Sequence, residues 1–356
     1  MIAIDNFDGG ADWTRLRDFG AYEQNNNPDG QDVVNNLYDL LIEDNTAYVV
    51  DAGANDLLSQ RAFGSELTLE TVFPIIYTTT DPLTGESVVR QPVPNSMPDQ
   101  LPIALMLQGA LVDKADYSNY AQTVASYGFV VVVPNNQRTV TPPNGETVTG
   151  LLSEQGQVNA VLEQMKVEDA DPTSPIFEIA DTETLGLLGH SFGGAVGLGA
   201  TQDEICIPGI CSQDYTIPPE LQAGIFYGTS FRDRQTGEFL PIDNEGIAVG
   251  LIQGSLDGVI PPSNSQTTYD RILNPPKVSV TVEGANHYSI TNVDNPEREP
   301  NRPTLGQTTA TETIGRWSGL FLRSHLLHDR GAFNYIYGTG DNLDPNVSVI
   351  SQTPVY

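Results

Sequence analysis

Basic residues are scarce in this chain. Sixteen lysines and arginines stand against 46 aspartates and glutamates, a formal net charge of −30 over 356 residues. Lysine occurs only at Lys114, Lys166 and Lys277. A surface of that sign repels nucleic-acid phosphates and anionic membranes, so neither is expected as a partner. No apolar run approaches the ~20 residues that cross a bilayer, so no transmembrane segment is expected. The first residues, MIAIDNFDGG, carry neither a basic region nor an apolar core. They predict no signal peptide, and the cytoplasm is the favoured compartment. Cysteine is limited to Cys206 and Cys211, in CIPGIC. Two ligands are too few for a structural zinc site, so the pair forms either a local disulfide or two free thiols. No metal or organic cofactor is expected.

Against these absences stands a hydrophobic content of 39%, enough for a sizeable core. The length fits one large domain with a smaller one appended. Residues 1–99 read as a β-rich appendage and linker. Val33–Glu43 predicts a short helix, Ala47–Asp51 a strand, and Val72–Thr79 a β-rich run interrupted by Pro74. Asp81–Glu86 (DPLTGE) predicts a turn into Ser87–Val93. Pro92–Pro102 holds four prolines and reads as a linker. From residue 100 to 330 the pattern is doubly wound. Strands are expected at Ile103–Leu107, Phe129–Val133, Leu185–Leu188, Ala223–Tyr227, Ile247–Ile252 and Val278–Val282. Helices are expected at Tyr117–Tyr127 (capped by Asp116), Glu154–Lys166, Ser263–Leu273 and Thr311–His328. Such alternation predicts an α/β fold, a mainly parallel sheet with helices on both faces. Residues 331–356 lose periodicity and are expected to be a surface tail.

The chemistry centres on Leu185–Ala200, LGLLGHSFGGAVGLGA. Gly189, Ser191 and Gly193 fill the G-x-S-x-G pattern, between an apolar strand and a helix of small residues. That context predicts a sharp strand-to-helix turn with an exposed serine hydroxyl at its tip. A serine hydroxyl needs a base, and the base needs an orienting acid. In a parallel sheet both belong on loops after strand carboxyl ends. His287 follows one strand in EGANHYSI, and Asp257 follows another in QGSLDGVIPP. Asp233 follows the preceding strand and is the alternative acid. His190, just before the nucleophile, is read as pointing elsewhere, either as a packing residue or as one that supports the site from behind, and His325 and His328 lie on the last helix. The backbone amides of Phe192 and Ala110 are the candidate oxyanion donors.

Over residues 100–330 these motifs resemble the α/β-hydrolase superfamily. The likeness is greatest to chlorophyllases, platelet-activating-factor acetylhydrolases and cutinase-like polyester hydrolases. DYSNYAQTVASYGFVVVVPNN looks like their first helix and following strand, GHSFGGA like the elbow of the acetylhydrolases, and GSLDGVIPP and GANHYSI like cutinase-type acid and base loops. The resemblance implies Ser191 as nucleophile, Asp257 as acid, His287 as base, and an ester as substrate. Phe192 stands where plant chlorophyllases carry Arg, and Gln108-Gly109 replaces their His-Gly. DNTAYVVDAGANDLL resembles one blade of six-bladed propeller proteins of cyanobacteria, though no second copy follows. Together these resemblances point to a cyanobacterial chlorophyllase-like esterase acting on a small hydrophobic ester such as the phytyl ester of chlorophyll. A general lipid or polyester esterase is the runner-up, and an inert binding protein on the same fold the opposing case.

Overall fold

The computed structural model describes residues 100–353 except 141–146, 175, 203–206, 208, 213–214 and 234–235, together with eight strand segments among residues 1–99. The chain divides into two compact units, Met1–Asp99 and Gln100–Tyr356.

Within the first unit, Leu37–Glu43, Thr46–Asp51, Asp56–Arg61 and Thr68–Val72 form a four-stranded antiparallel meander. The helix expected at Val33–Glu43 is therefore a strand over Leu37–Glu43. Leu40 and Ile42 fall on a strand's period of two. The Thr46–Asp51 ladder supplies backbone bonds that so short a helix could not match. Ile2–Asp5 pairs with Asp12–Arg15, and Thr78–Thr80 with Ser87–Val89, both antiparallel. The expected turn Asp81–Glu86 and most of the linker lie outside the described residues. Leu101 and Pro102, assigned to that linker, belong to a strand.

The second unit is built on a seven-stranded sheet. Its strands are β1 (Leu101–Leu107), β2 (Val130–Val132), β3 (Ala180–His190), β4 (Leu221–Tyr227), β5 (Ala248–Gly254), β6 (Lys277–Val282) and β7 (Val347–Gln352). Their order is β2-β1-β3-β4-β5-β6-β7, parallel throughout except for antiparallel β7. Helices α1 (Ser118–Ala125), α2 (Gly156–Ala170), α3 (Phe192–Ala200), α4 (Pro262–Arg271) and α5 (Gln307–Leu326) cover it.

The strand pleat sorts side chains to two faces. Ile103, Leu105 and Leu107 of β1 join Val158, Leu162, Val196, Leu198 and Tyr269, from α2, α3 and α4. The intervening Ala104 and Met106 face Tyr120 and Val124 of α1 and Ile314, Trp317 and Phe321 of α5. Both faces of β1 are thus dry, which explains its unbroken apolar run.

Two expectations need correction here. Asp116 does not cap α1. Asp113 accepts the amide of Ala115 at 2.9 Å and caps a preceding turn of 3₁₀ helix, Lys114–Tyr117. Residues 331–356 are not a surface tail, because they carry β7. Val347 and Val349 alternate inward against β6, whereas Ser348 and exposed Ile350 alternate outward. That outward isoleucine blurs the period that would have announced a strand.

Candidate active site

β3 ends at His190, and the next residue turns the chain into α3. Ser191 adopts φ 53° and ψ −116°, a left-handed conformation that a side chain rarely accepts. The turn is held on both sides. Its N–H donates to Tyr227 O at 2.9 Å, and its carbonyl accepts Thr229 Oγ1–H at 2.8 Å. Gly193 is required by the same geometry: a Cβ there would lie 2.1 Å from Leu107 O and 2.4 Å from Gln108 O. The start of α3 thus presses directly on the end of β1. Ser191 itself is only partly covered.

His287 and Asp257 lie on the loops beyond β6 and β5, and both are buried. His287 Nδ1 meets Asp257 Oδ2 at 2.8 Å. Gln253 Nε2 donates to the same oxygen at 3.1 Å. Oδ1 accepts the amides of Val259 and Ile260 at 2.9 and 2.7 Å. With Nδ1 bound to the carboxylate, the ring's free position is Nε2, the nitrogen a proton acceptor would use. Asp233, the alternative acid, accepts the amide of Thr236 at 3.4 Å.

At the end of β1 the amides are almost all committed. Gly109 N–H donates to Tyr117 Oη at 2.8 Å, Leu111 N–H to Leu151 O at 2.7 Å, and Val112 N–H to Gly109 O at 3.2 Å. Among the described residues the amides of Ala110 and Phe192 meet no acceptor, Phe192 being the first residue of α3. Such N–H groups, one at a helix N-terminus, suit a developing negative charge.

His190, read from sequence as a packing or supporting residue, and two residues that were not foreseen, Arg298 and Glu299, also touch these loops. His190 is fully buried, its ring 4.8 Å from that of His287. Its Nε2 lies 3.0 Å from the carbonyl of His287, which can only accept, so Nε2 carries the proton. Nδ1 then accepts from Tyr117 Oη–H at 2.9 Å. Burial, with repulsion from His287 whenever that ring is protonated, holds the His190 imidazole well below its ordinary pKa. Arg298 donates to Ala110 O at 2.9 Å and lies over the Tyr288 ring. Glu299 is a buried carboxylate touching the base loop. Each arises from long-range packing that no local motif announces.

Elsewhere, Cys211 is disulfide-bonded, while Cys206 lies outside the described residues. His325 sits on α5 with Nε2 2.8 Å from Tyr337 Oη, away from the site loops. No group of three or more metal-ligating side chains occurs among the described residues. No helix there is long and apolar enough to cross a membrane.

A mainly parallel sheet covered on both faces, with a serine at a strained strand-to-helix turn, defines an α/β-hydrolase fold. The Chlorophyllase family model matches residues 80–207, and the chain resembles the chlorophyllase-like group of these hydrolases. That match takes in β1 through α3 with the Ser191 turn, begins in the first unit, and stops short of Asp257 and His287. No curated protein matches the chain in sequence.

Proposed function

We propose that the protein is a serine carboxylic-ester hydrolase working through an acyl-enzyme. Ser191 is its nucleophile, His287 its base and Asp257 its orienting acid. The observation that carries this reading is the buried 2.8 Å His287–Asp257 contact on loops at the same sheet end as the strained Ser191 turn. His287 Nε2 takes the hydroxyl proton as Ser191 Oγ attacks the ester carbonyl carbon. The amides of Phe192 and Ala110 hold the oxyanion. Collapse breaks the ester C–O bond, and the imidazolium gives its proton to the leaving alcohol. Water, deprotonated by His287, then adds to the acyl-enzyme and releases the acid.

The substrate proposed is a hydrophobic ester, with the phytyl ester of chlorophyll the leading candidate. The Chlorophyllase match supports it, and so does a surface of net charge −30 with few cationic anchors. Residues 1–99 are proposed to be a β-rich appendage to the catalytic domain.

The deciding experiment measures chlorophyllide release from chlorophyll a in detergent, by wild type and Ser191→Ala. Release by wild type alone is expected. Failure to release chlorophyllide while p-nitrophenyl esters are cleaved would move the substrate to short lipid or polyester esters. Absence of fluorophosphonate labelling in folded protein would overturn the esterase reading.

A further inference from the structure

Glu299 lies in the stretch NPEREP, where the sequence suggests a solvated turn, yet only 1% of its surface is exposed. Both carboxylate oxygens are occupied, and every partner is a backbone N–H. Oε1 accepts from Asn301 at 2.7 Å and Gly258 at 3.1 Å. Oε2 accepts from His287 at 3.0 Å and Gly258 at 3.2 Å. A protonated carboxyl would have to aim its O–H at one of these donors, so the group is ionised. Gly258 directly follows Asp257. One carboxylate therefore ties the acid loop to the backbone of His287. Among the described residues no lysine or arginine forms an ion pair with it. Its neighbour Arg298 reaches Ala110 O instead.

A buried charge without a cationic partner is costly unless it is hydrogen-bonded, and it favours positive charge nearby. The adjoining side chain that becomes positive in the proposed reaction is His287. Resting on the triad reading, we propose that Glu299 is a positioning residue of the base pocket. It fixes the backbone of His287 against the acid loop and adds a second negative charge that the His287 imidazolium meets during turnover.

Other titratable or charged groups also face this pocket. Asp257 bonds the imidazole. His190 and Tyr288 pack on its ring. Tyr227 packs on His190 and bonds the carbonyl of Asn286. Arg298 covers Tyr288, and Asp294 bonds Asn286 at 2.8 Å. Glu299→Gln leaves all of these in place. It removes one charge and turns an acceptor oxygen into an NH₂ facing N–H donors.

The test is kcat and KM for p-nitrophenyl butyrate from pH 5 to 9, for wild type, Glu299→Gln and Glu299→Asp. Glu299→Gln is expected to lower kcat roughly tenfold with KM within about twofold. The acidic limb of kcat/KM should move down by about 0.5–1 pH unit, because His287 holds its proton less tightly. Glu299→Asp keeps the charge at shorter reach. Its limb should stay at the wild-type pH while kcat falls. A Gln variant with wild-type kcat or an unmoved limb overturns the proposal, as does an Asp variant whose limb moves equally. If the Gln variant does not fold, the Asp variant decides: a moved limb or unchanged kcat overturns the role. Ser191→Ala, assayed in parallel, separates the two readings. Wild-type turnover by Ser191→Ala removes the triad and this proposal with it. An inactive Ser191→Ala beside an unaffected Glu299→Gln removes this proposal alone.

Discussion

The ring of His190 donates its Nε2–H to the backbone carbonyl of His287 across 3.0 Å. The residue before the proposed nucleophile thus holds the residue proposed as its base. The chain continues through Tyr117, whose Oη–H donates to His190 Nδ1 and whose oxygen accepts Gly109 N–H. One buried series of hydrogen bonds joins the loop after β1, the serine turn and the loop after β6. Because each donor has one acceptor, the tautomer of His190 and the direction of every bond are determined.

Tyr117→Phe tests that series. The ring would still fill its site, but Gly109 N–H and His190 Nδ1 would both lose their partner in the core. Leaving buried polar groups unpaired costs about 1–3 kcal/mol each. A stability loss of about 2–4 kcal/mol in urea unfolding is expected. The kcat for p-nitrophenyl esters should fall as well, since the loop bearing Ala110 is no longer anchored at Gly109. Unchanged unfolding would show that the hydroxyl is not part of a stabilising network.

Asp257→Asn replaces a carboxylate that accepts from His287, Gln253, Val259 and Ile260 with an amide that must point two hydrogens at donors. In its best orientation the NH₂ still faces two N–H groups. His287 loses both its tautomer lock and the charge that balances its imidazolium. A kcat loss on the order of 10³–10⁴ is expected, with folding retained by circular dichroism. A kcat within tenfold of wild type would refute Asp257 as the acid.

Much of this arrangement could be read in advance, and the reasons are physical. Ile103–Leu107 is apolar at every position because both faces of β1 are covered, and such runs are visible in sequence. Ser191, Asp257 and His287 each follow a strand of the parallel part of the sheet, which puts them at the same sheet end. Tyr117, Arg298 and Glu299 could not be found this way. Tyr117 looks like any core aromatic beside a helix, and its hydroxyl bonds a residue 73 positions away. Glu299 lies between prolines and charges, a composition that usually means solvent. Only the folded position of Gly258 and His287 makes it an internal carboxylate.

Acid stability should depend on His325. Burial, with the charge of His328 nearby, lowers its pKa to about 4 from the ordinary 6.5. Below pH 6.5 the unfolded chain binds a proton that the folded chain refuses. Stability from this group is therefore complete above about pH 6.5 and is lost as pH falls through 4, by about 3 kcal/mol in all. His190 is shifted in the same direction. His325→Gln should retain a partner for Tyr337 and remove only the His325 share. Unfolding free energies at pH 7 and pH 4.5 should differ less in that variant than in wild type. Equal slopes would mean that His325 is not held neutral.

The C-terminal segment gives the last prediction, because one carboxylate ties the approach to β7 to α5. Asp344, just before β7, accepts from Arg316 Nη2 at 2.5 Å and Trp317 Nε1 at 3.0 Å, both on α5. Burial alone would raise its pKa, but Arg316, Trp317 and the amide of Asn346 outweigh that and hold it below the usual carboxylate range. Asp344→Ala would leave an arginine and an indole N–H without their acceptor. The loss should be about 2–4 kcal/mol, close to what breaking one side of a part-buried ion pair costs. It should be concentrated at the sheet edge, since among the described residues β7 pairs only with β6. Hydrogen exchange would register this as faster exchange of the Val347–Gln352 amides, with β1 and β3 protected as before. A uniform loss of protection would show instead that the edge strand unfolds together with the central sheet.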